Sequence, residues 1–191
     1  MNKNFISIVI PAHNEERVIA KAINSVLGST YKRYEIIVVN DGSTDGTKRI
    51  TENLIKKHPK KIRLLDYDQG HSPAFARNRG AEAAKGDILF FLDADDWIRD
   101  DTLENIVKSF EKHKDIHFVV ANRKAIIPKD WRRIFLYGTI TRKEYELNVN
   151  NKLSKEIDDF ITIGGHMSCP YIAKTNIFKD IGGFDEGFYY T

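Results

Sequence analysis

Gly86-Asp87-Ile88-Leu89-Phe90-Phe91-Leu92-Asp93-Ala94-Asp95-Asp96-Trp97 joins an apolar run, Ile88 to Leu92, to three carboxylates packed within four residues. A run of that length without polar alternation suits a strand buried on both faces, as in a parallel sheet. If the extended conformation persisted past Leu92, Asp93 and Asp95 would project to one side and Asp96 to the other. Two carboxylates on one side repel, and a divalent cation is the usual remedy. Taken alone, the same acids also suit a solvated turn or an N-cap cluster for the next helix.

Outward from this stretch the chain alternates strand and helix. Immediately upstream, Ala74 to Lys85 is alanine-rich and closely packing, a helix stopped by Gly86. Before it come a short strand, Ile62 to Leu65, and the loop Gln69-Gly70-His71-Ser72-Pro73. Tyr34 to Val39 is another buried strand, running into Asn40-Asp41-Gly42-Ser43-Thr44-Asp45-Gly46. Thr44 or Asp45 is the expected cap of a helix that turns Ile50, Leu54 and Ile55 inward until His58-Pro59 ends it. At the N-terminus, Phe5 to Ile10 forms a strand that Pro11 should end, for want of an N–H. From Glu15 a helix follows, with Val18, Ile19, Ala22, Ile23, Val26 and Leu27 on one side and Gly28 closing it.

Downstream of the acids, Asp100 or Asp101 is expected to cap a helix burying Leu103, Ile106, Val107 and Phe110, and Ile116 to Ala121 reads as a further strand. The pattern predicts an α/β fold, a mostly parallel sheet with helices on both faces. From residue 122 the regularity weakens, and Lys124 to Lys152 reads as a variable insertion carrying Trp131, Phe135 and Tyr137. Gly164 to Cys169 reads as a loop and Tyr171 to Ala173 as a short strand. Thr175 then caps a brief helix ending at Gly182-Gly183. The expected division is a binding subdomain over 1–122 and a partial second subdomain over 123–191, within one compact domain.

The 191 residues, 41% apolar and 30% charged, describe an ordinary globular chain rather than a disordered one. A net charge of +3 with scattered lysines points to no nucleic-acid partner. Cys169 is the only cysteine, which fits a reducing compartment, and no apolar run reaches the roughly 18 residues of a membrane span. A cytoplasmic location is expected, at most at the cytoplasmic face of a membrane through segments this chain lacks.

In a parallel sheet, ligands bind at the carboxyl ends of the strands. Three such ends carry unusual polar sets: Pro11 to Glu16, Asn40 to Asp45, and Asp93 to Asp96. The glycine-rich turn of a dinucleotide site is missing after the first strand, and no phosphate loop with its Gly-Lys-Ser/Thr ending occurs. What remains is acids for a metal, acids and amides for a base or ribose, and arginines for phosphate. No cysteine or histidine cluster has zinc spacing.

These blocks resemble the signatures of family 2 glycosyltransferases. They are Ser7-Ile8-Val9-Ile10-Pro11-Ala12-His13-Asn14-Glu15-Glu16, Val38-Val39-Asn40-Asp41-Gly42-Ser43-Thr44-Asp45-Gly46-Thr47, Ala76-Arg77-Asn78-Arg79-Gly80 and Phe91-Leu92-Asp93-Ala94-Asp95-Asp96. Gly182-Gly183-Phe184-Asp185-Glu186 resembles a further one. The resemblance implies a GT-A, Rossmann-like fold and transfer of a sugar, from a UDP-sugar donor, to a glycan, lipid-linked or protein-linked acceptor, as in polysaccharide biosynthesis. It also implies inversion and a manganese or magnesium ion.

By position, Pro11, Ala12, Asn14 and Glu15 resemble the first nucleotide-binding loop, Asp41 the acid that reads uracil, and Arg77 a donor-side arginine. Asp93 would face the ribose or the metal's water shell, Asp95 would ligate the metal, and Asp96 is left as a structural or acceptor-side acid. Arg79 should point elsewhere than Arg77, and Trp97 suits a core anchor or an acceptor platform. His13, His71 and His166 each admit a role or simple packing.

An inverting transfer needs a general base. In the family it usually follows the Gly-Gly-Phe-Asp segment, so it is expected beyond Thr191, with Asp185 a weak candidate inside the chain. The expectation is a chain truncated before its base, and the alternative to a complete enzyme is a nucleotide-sugar-binding fragment without turnover. A nucleotidyltransferase of related fold is disfavoured, because its glycine-rich, arginine-bearing loop is not found after the first strand.

Overall fold

The computed structural model describes residues 4–120 and 171–187. The stretch Lys124 to Lys152, the loop Gly164 to Cys169 and His166 lie outside the described residues. In chain order the elements are β1 (Ile6–Ala12), α1 (Ile19–Leu27), β2 (Tyr34–Asp41), α2 (Thr47–Lys57), β3 (Ile62–Tyr67), α3 (Pro73–Ala83), β4 (Ile88–Phe91), α4 (Thr102–Lys112), β5 (Phe118–Val120), β6 (Tyr171–Lys174) and α5 (Thr175–Asp180).

The strands form one sheet in the order β3-β2-β1-β4-β6-β5. β1 lies between β2 and β4, parallel to both, and β3 extends β2 in parallel. β6 runs antiparallel to β4 and to β5, so β5 keeps the direction of the first four strands and β6 is wedged in reversed. The expected mostly parallel sheet is therefore present.

Alternation along the strands feeds two apolar layers. On one face Ile6, Ile8, Ile10, Ile36, Val38 and Phe90 pack with Ile19, Ile23 and Val26 of α1 and with Leu103, Ile106 and Phe110 of α4. On the other, Val9, Ile37, Val39, Leu89 and Phe91 meet Ala76 and Ala81 of α3 and Phe178 of α5. Small residues let α3 lie close: a Cβ on Gly80 would stand 2.2 Å from Val9 Cγ1.

Pro11 does not end β1. The strand runs on to Ala12, with Pro11 beside Val39 and Ala12 beside Asn40. Pairing with β4 stops at Val9, whose carbonyl accepts the Leu92 N–H at 3.0 Å. Residues two apart direct their backbone groups to the same edge, so the missing N–H of Pro11 faces the gap that β4 has already left. That gap, where the strand order reverses, is the crevice of an open α/β sheet.

The opposite end of the sheet is closed by a polar network. Glu35, 6% exposed, accepts from Ser7 Oγ at 2.8 Å, from the Lys85 N–H at 2.8 Å and from the Arg63 fork at 3.1 and 2.8 Å. Ser7 Oγ in turn accepts the Gly86 N–H at 2.9 Å. A buried carboxylate is tolerable when its lone pairs are filled in this way.

Several helix starts depart from expectation. Gly46 occupies the cap position of α2, and Asp45 serves it from one residue earlier by accepting the Thr47 N–H at 2.9 Å. The Asp101 side chain does not cap α4; its carboxylate is taken by Arg99 instead. Thr175 is no cap either: its hydroxyl donates to the Gly86 carbonyl at 2.6 Å, pinning α5 to the start of the β4 segment. The read loop Ser72-Pro73 is the true start of α3, with Ser72 Oγ accepting the Phe75 N–H at 3.1 Å and proline in the first turn.

Candidate active site

At the carboxyl ends of β1, β2 and β4 the loops surround a cleft of about 600 Å³. Its lining includes Pro11, Ala12, His13, Glu15, Asp41, Gly70, His71, Arg77, Asp93 and Asp95.

The first two loops are zipped together. Asn14, in the left-handed region at φ 58°, accepts the Thr44 N–H on Oδ1 at 2.8 Å, while its own N–H donates to Ser43 Oγ at 2.9 Å. His13 Nδ1 donates to the Asp41 carbonyl at 2.6 Å, leaving Nε2 to accept from the Asn14 amide at 3.1 Å. Glu16 and Asp45 exchange further bonds, Gly46 N–H to Glu16 at 2.8 Å and Glu16 N–H to Asp45 at 3.0 Å. Although desolvation opposes it, hydrogen bonds from Thr47 and from the Glu16 backbone hold the Asp45 carboxyl below the usual range. Asn14 thus braces the loops and is not among the cleft-lining residues, unlike Pro11, Ala12 and Glu15.

Asp41 is 5% exposed at the tip of β2. Its carboxylate accepts the His71 N–H on both oxygens, at 3.1 and 3.0 Å, and His71 Nδ1 on Oδ1 at 2.9 Å. Gly42 makes this approach possible. It has φ +70°, and a Cβ there would lie 2.2 Å from the Gly70 nitrogen.

The acids after β4 are not extended. The Asp96 N–H returns to the Asp93 carbonyl at 3.0 Å, closing a turn that brings carboxylate oxygens of Asp93, Asp95 and Asp96 within 4.8 Å of one another. The expected divergence of Asp96 from the other two is corrected by that turn: side chains alternate only while the strand persists, and β4 ends at Phe91. Arg77 from α3 pairs with Asp93 Oδ1 at 2.8 Å. Asp95 is exposed, and its carboxylate makes no hydrogen bond or ion pair among the described residues. Burial pushes the Glu15 carboxyl up, the charges of Asp95, Asp45 and Asp93 push it further, and His13 opposes them.

This donor set fits a hard divalent cation. It is all oxygen, carries surplus negative charge and leaves coordination positions for water or phosphate.

The block Ala76 to Gly80 divides its work by helix geometry. Arg77 faces the cleft, whereas Asn78, 8% exposed, turns to the other side and clamps a downstream segment. Asn78 Oδ1 accepts the Phe184 N–H at 2.9 Å, and its amide donates to the Phe184 carbonyl and to Glu186, both at 2.8 Å. Arg79 bridges Glu82 and Glu186 at 2.9 Å each, matching the expectation that it points away from Arg77. Bonds from Asn78 and Arg79 hold the Glu186 carboxyl below its usual range. Asp185 is exposed, accepts the Gly187 N–H at 2.9 Å and does not line the main cleft. Trp97 is 43% exposed beneath the Lys21 ammonium, 3.0 Å from the ring centroid, so it is not a core anchor.

Sequence reasoning left two of these roles open or unseen. His71 on Asp41 depends on two loops meeting across the sheet, and only the glycines at 42 and 70 hinted at a close approach. Asn78 sat inside a quoted motif, but its partner lies more than a hundred residues away.

The mostly parallel sheet with its carboxylate-lined crevice beside β1 has the architecture of the GT-A fold. The structural neighbours carry the same architecture. Mannosyltransferase PcManGT from Pyrobaculum calidifontis, in complex with GDP-Man and Mn2+, matches with a TM-score of 0.68 at 20% identity, over 96% of this chain and 48% of that one. S. aureus TarS in complex with UDP-GlcNAc matches at 0.64 and 21%, over 92% and 47%. The family model for glycosyl transferase family 2 covers residues 7–172, and the chain belongs to that family.

Among curated relatives, an uncharacterized glycosyltransferase of Haemophilus influenzae is 38% identical over 122 residues, 64% of this chain and 45% of its own length. Glycosyltransferase AglE of Haloferax volcanii is 28% identical over 183 residues, 94% of this chain and 56% of its own. The chain spans about half the length of these relatives.

Proposed function

We propose that this chain forms the donor site of an inverting, metal-dependent hexosyltransferase that takes its sugar from a UDP-sugar and delivers it to a glycan, lipid-linked or protein-linked acceptor. The observation that carries the reading is the convergence of Asp41, Arg77, Asp93 and Asp95, from two separate strand ends and α3, on one 600 Å³ cleft. A nucleoside diphosphate needs an acceptor for its base, cation neutralisation for its phosphates and hydroxyl partners for its ribose, and that is the inventory present.

Asp41 takes the uracil edge. Asp93, steadied by Arg77, serves the ribose or the metal's water shell, and Arg77 adds positive charge toward the phosphates. Asp95 is the principal metal ligand, with Asp93 and Asp96 near enough to hold its water shell. A bound magnesium or manganese supplies Lewis-acid stabilisation of charge on the departing diphosphate. The protein's part is orientation and exclusion: the zipped loops at Asn14 and Thr44 fix the floor on which the base and ribose lie. Residues 1–122 are assigned to the donor and 123–191 to the acceptor side, in a cytoplasmic setting. Complexes of TarS with UDP and UDP-GlcNAc support the uridine donor, and the Mn2+ complex of PcManGT supports the ion. Its GDP-Man ligand marks guanosine as the competing base.

Calorimetric titration with UDP-GlcNAc, UDP-glucose, UDP-galactose and GDP-mannose, each with and without manganese, tests the reading. Manganese-dependent binding confined to uridine donors is expected. Tighter binding of GDP-mannose, or binding of none of the four, would refute it.

A further inference from the structure

We propose that His71 sets the base selectivity of this site, holding the Asp41 carboxylate so that it presents one free acceptor position to the imide N–H of a uracil. The inference rests on the nucleotide-sugar reading above and concerns a residue that reading does not use.

Ionised Asp41 is acceptor-only, with about four lone-pair positions. The His71 N–H is shared between its two oxygens at 3.1 and 3.0 Å, and the imidazole takes Oδ1 at 2.9 Å. Because Asp41 can only accept, Nδ1 carries the proton in this contact. Oδ1 is then doubly engaged, and Oδ2 keeps its remaining position. Asp41 lines the cleft, so that position is the one a ligand can use.

The imidazole is itself held. It stacks on Phe75 with centroids 3.9 Å apart at 15°, and Tyr67 meets it edge-on at 6.1 Å. The Asp41 backbone is fixed too, through His13 Nδ1 on its carbonyl at 2.6 Å and through the Gly42 N–H on the Tyr67 carbonyl at 3.0 Å. A carboxylate held through both donors on Oδ1 resists rotation to suit a different base.

The consequence is discrimination by the ring edge. Uracil offers an N–H at position 3, which Oδ2 accepts. Cytosine offers a lone pair there, and two acceptors facing each other repel and leave the Oδ2 position unfilled. A carboxylate free to turn would relieve part of that mismatch by rotating toward the cytosine amino group. The imidazole forbids the turn, which makes His71 a positioning residue acting through Asp41.

Two variants separate positioning from packing. His71→Asn places an amide N–H where Nδ1 stood and loses the ring stack. His71→Leu retains apolar cover over Phe75 and loses the donor. With manganese present, the affinities of both variants and of wild type for UDP and CDP are measured by calorimetry, and thermal melts confirm folding. Loss of a hydrogen bond to a charged group corresponds to a change of about tenfold. The expected result is that His71→Leu loses about tenfold in the UDP-over-CDP preference while His71→Asn keeps most of it. A His71→Leu protein with the wild-type preference, or a His71→Asn protein as indifferent as His71→Leu, would overturn the inference and leave the donor reading intact. Failure of the wild-type protein to bind UDP removes the donor reading and this inference together.

Discussion

Gly80 shows how tightly single positions are set. A Cβ there would lie 2.2 Å from Val9 Cγ1, with no polar group to yield, Val9 in the core and Gly80 buried beside it. Gly80→Ala is expected to cost about 1–3 kcal/mol, the usual range for overpacking, seen as a lower urea midpoint at unchanged slope. Val9→Ala in the same protein should recover part of it, since the two changes share the contact.

Glu15 carries a second prediction. Its carboxyl is raised by burial and then by the Asp95, Asp45 and Asp93 charges, so the folded state binds that proton more tightly than the unfolded chain. Stability from this group is present at low pH and is lost as pH rises through its folded pKa. Glu15→Gln should therefore melt above wild type at neutral pH and lose that advantage on acidification, as followed by thermal melts across pH 3 to 8, a range spanning roughly the ordinary carboxylate titration.

Some residue placements were legible from the chain alone. Asp41, Arg77, Asp93 and Asp95 stood at strand ends or beside them, and each lines the cleft. Asp96 was misread because its direction depends on a turn that alternation does not foresee. His71 could be noticed but not interpreted, since its partner lies thirty residues away on another loop.

Among the elements, α3 does double duty. Its Arg77 side lines the cleft, and its Asn78 side holds Gly183 to Glu186 through three hydrogen bonds. Gly183, at φ +78°, comes so close that a Cβ would lie 2.6 Å from Asn78 Oδ1. Asn78→Ala leaves the Phe184 backbone groups without these partners and is expected to destabilise the fold by about 2 kcal/mol. The loss should be local as well: amide exchange of Phe184 should accelerate strongly, while that of β1 and β2 rises only as far as global stability falls.

Helix identity was readable from spacing, as in Ile19, Ile23 and Val26 or Leu103, Ile106 and Phe110, because one apolar side must face the sheet. Helix starts were less so. Asp45, Asp101 and Thr175 all have side chains suited to capping, yet a one-residue offset, a local ion pair with Arg99 and a tertiary partner, respectively, redirected them.

Across the whole molecule, the alternation of buried strands and one-sided helices sufficed for the α/β class, since few other arrangements bury such strands on both faces. The strand order was beyond it. β6 enters between β4 and β5 some fifty residues after β5 in sequence, and nothing local in Tyr171–Lys174 says which edges it will join. The order matters because it sets where the sheet opens: β4 leaves β1 after Val9, and Asp93 and Asp95 line the same cleft as Pro11.

That space gathers negative charge from Glu15, Asp93 and Asp95 around one cleft, and a bound cation should relieve it. The proposed coupling of metal to nucleotide at this crevice runs through Asp95. It is tested most directly by calorimetric titration of UDP into wild-type and Asp95→Asn protein, with and without manganese. Wild type is expected to gain at least about tenfold in UDP affinity from manganese, the scale of one charge-assisted contact, and Asp95→Asn to gain almost nothing. Equal UDP affinity of the wild-type protein with and without the ion, or a full manganese gain in the Asp95→Asn protein, would contradict it.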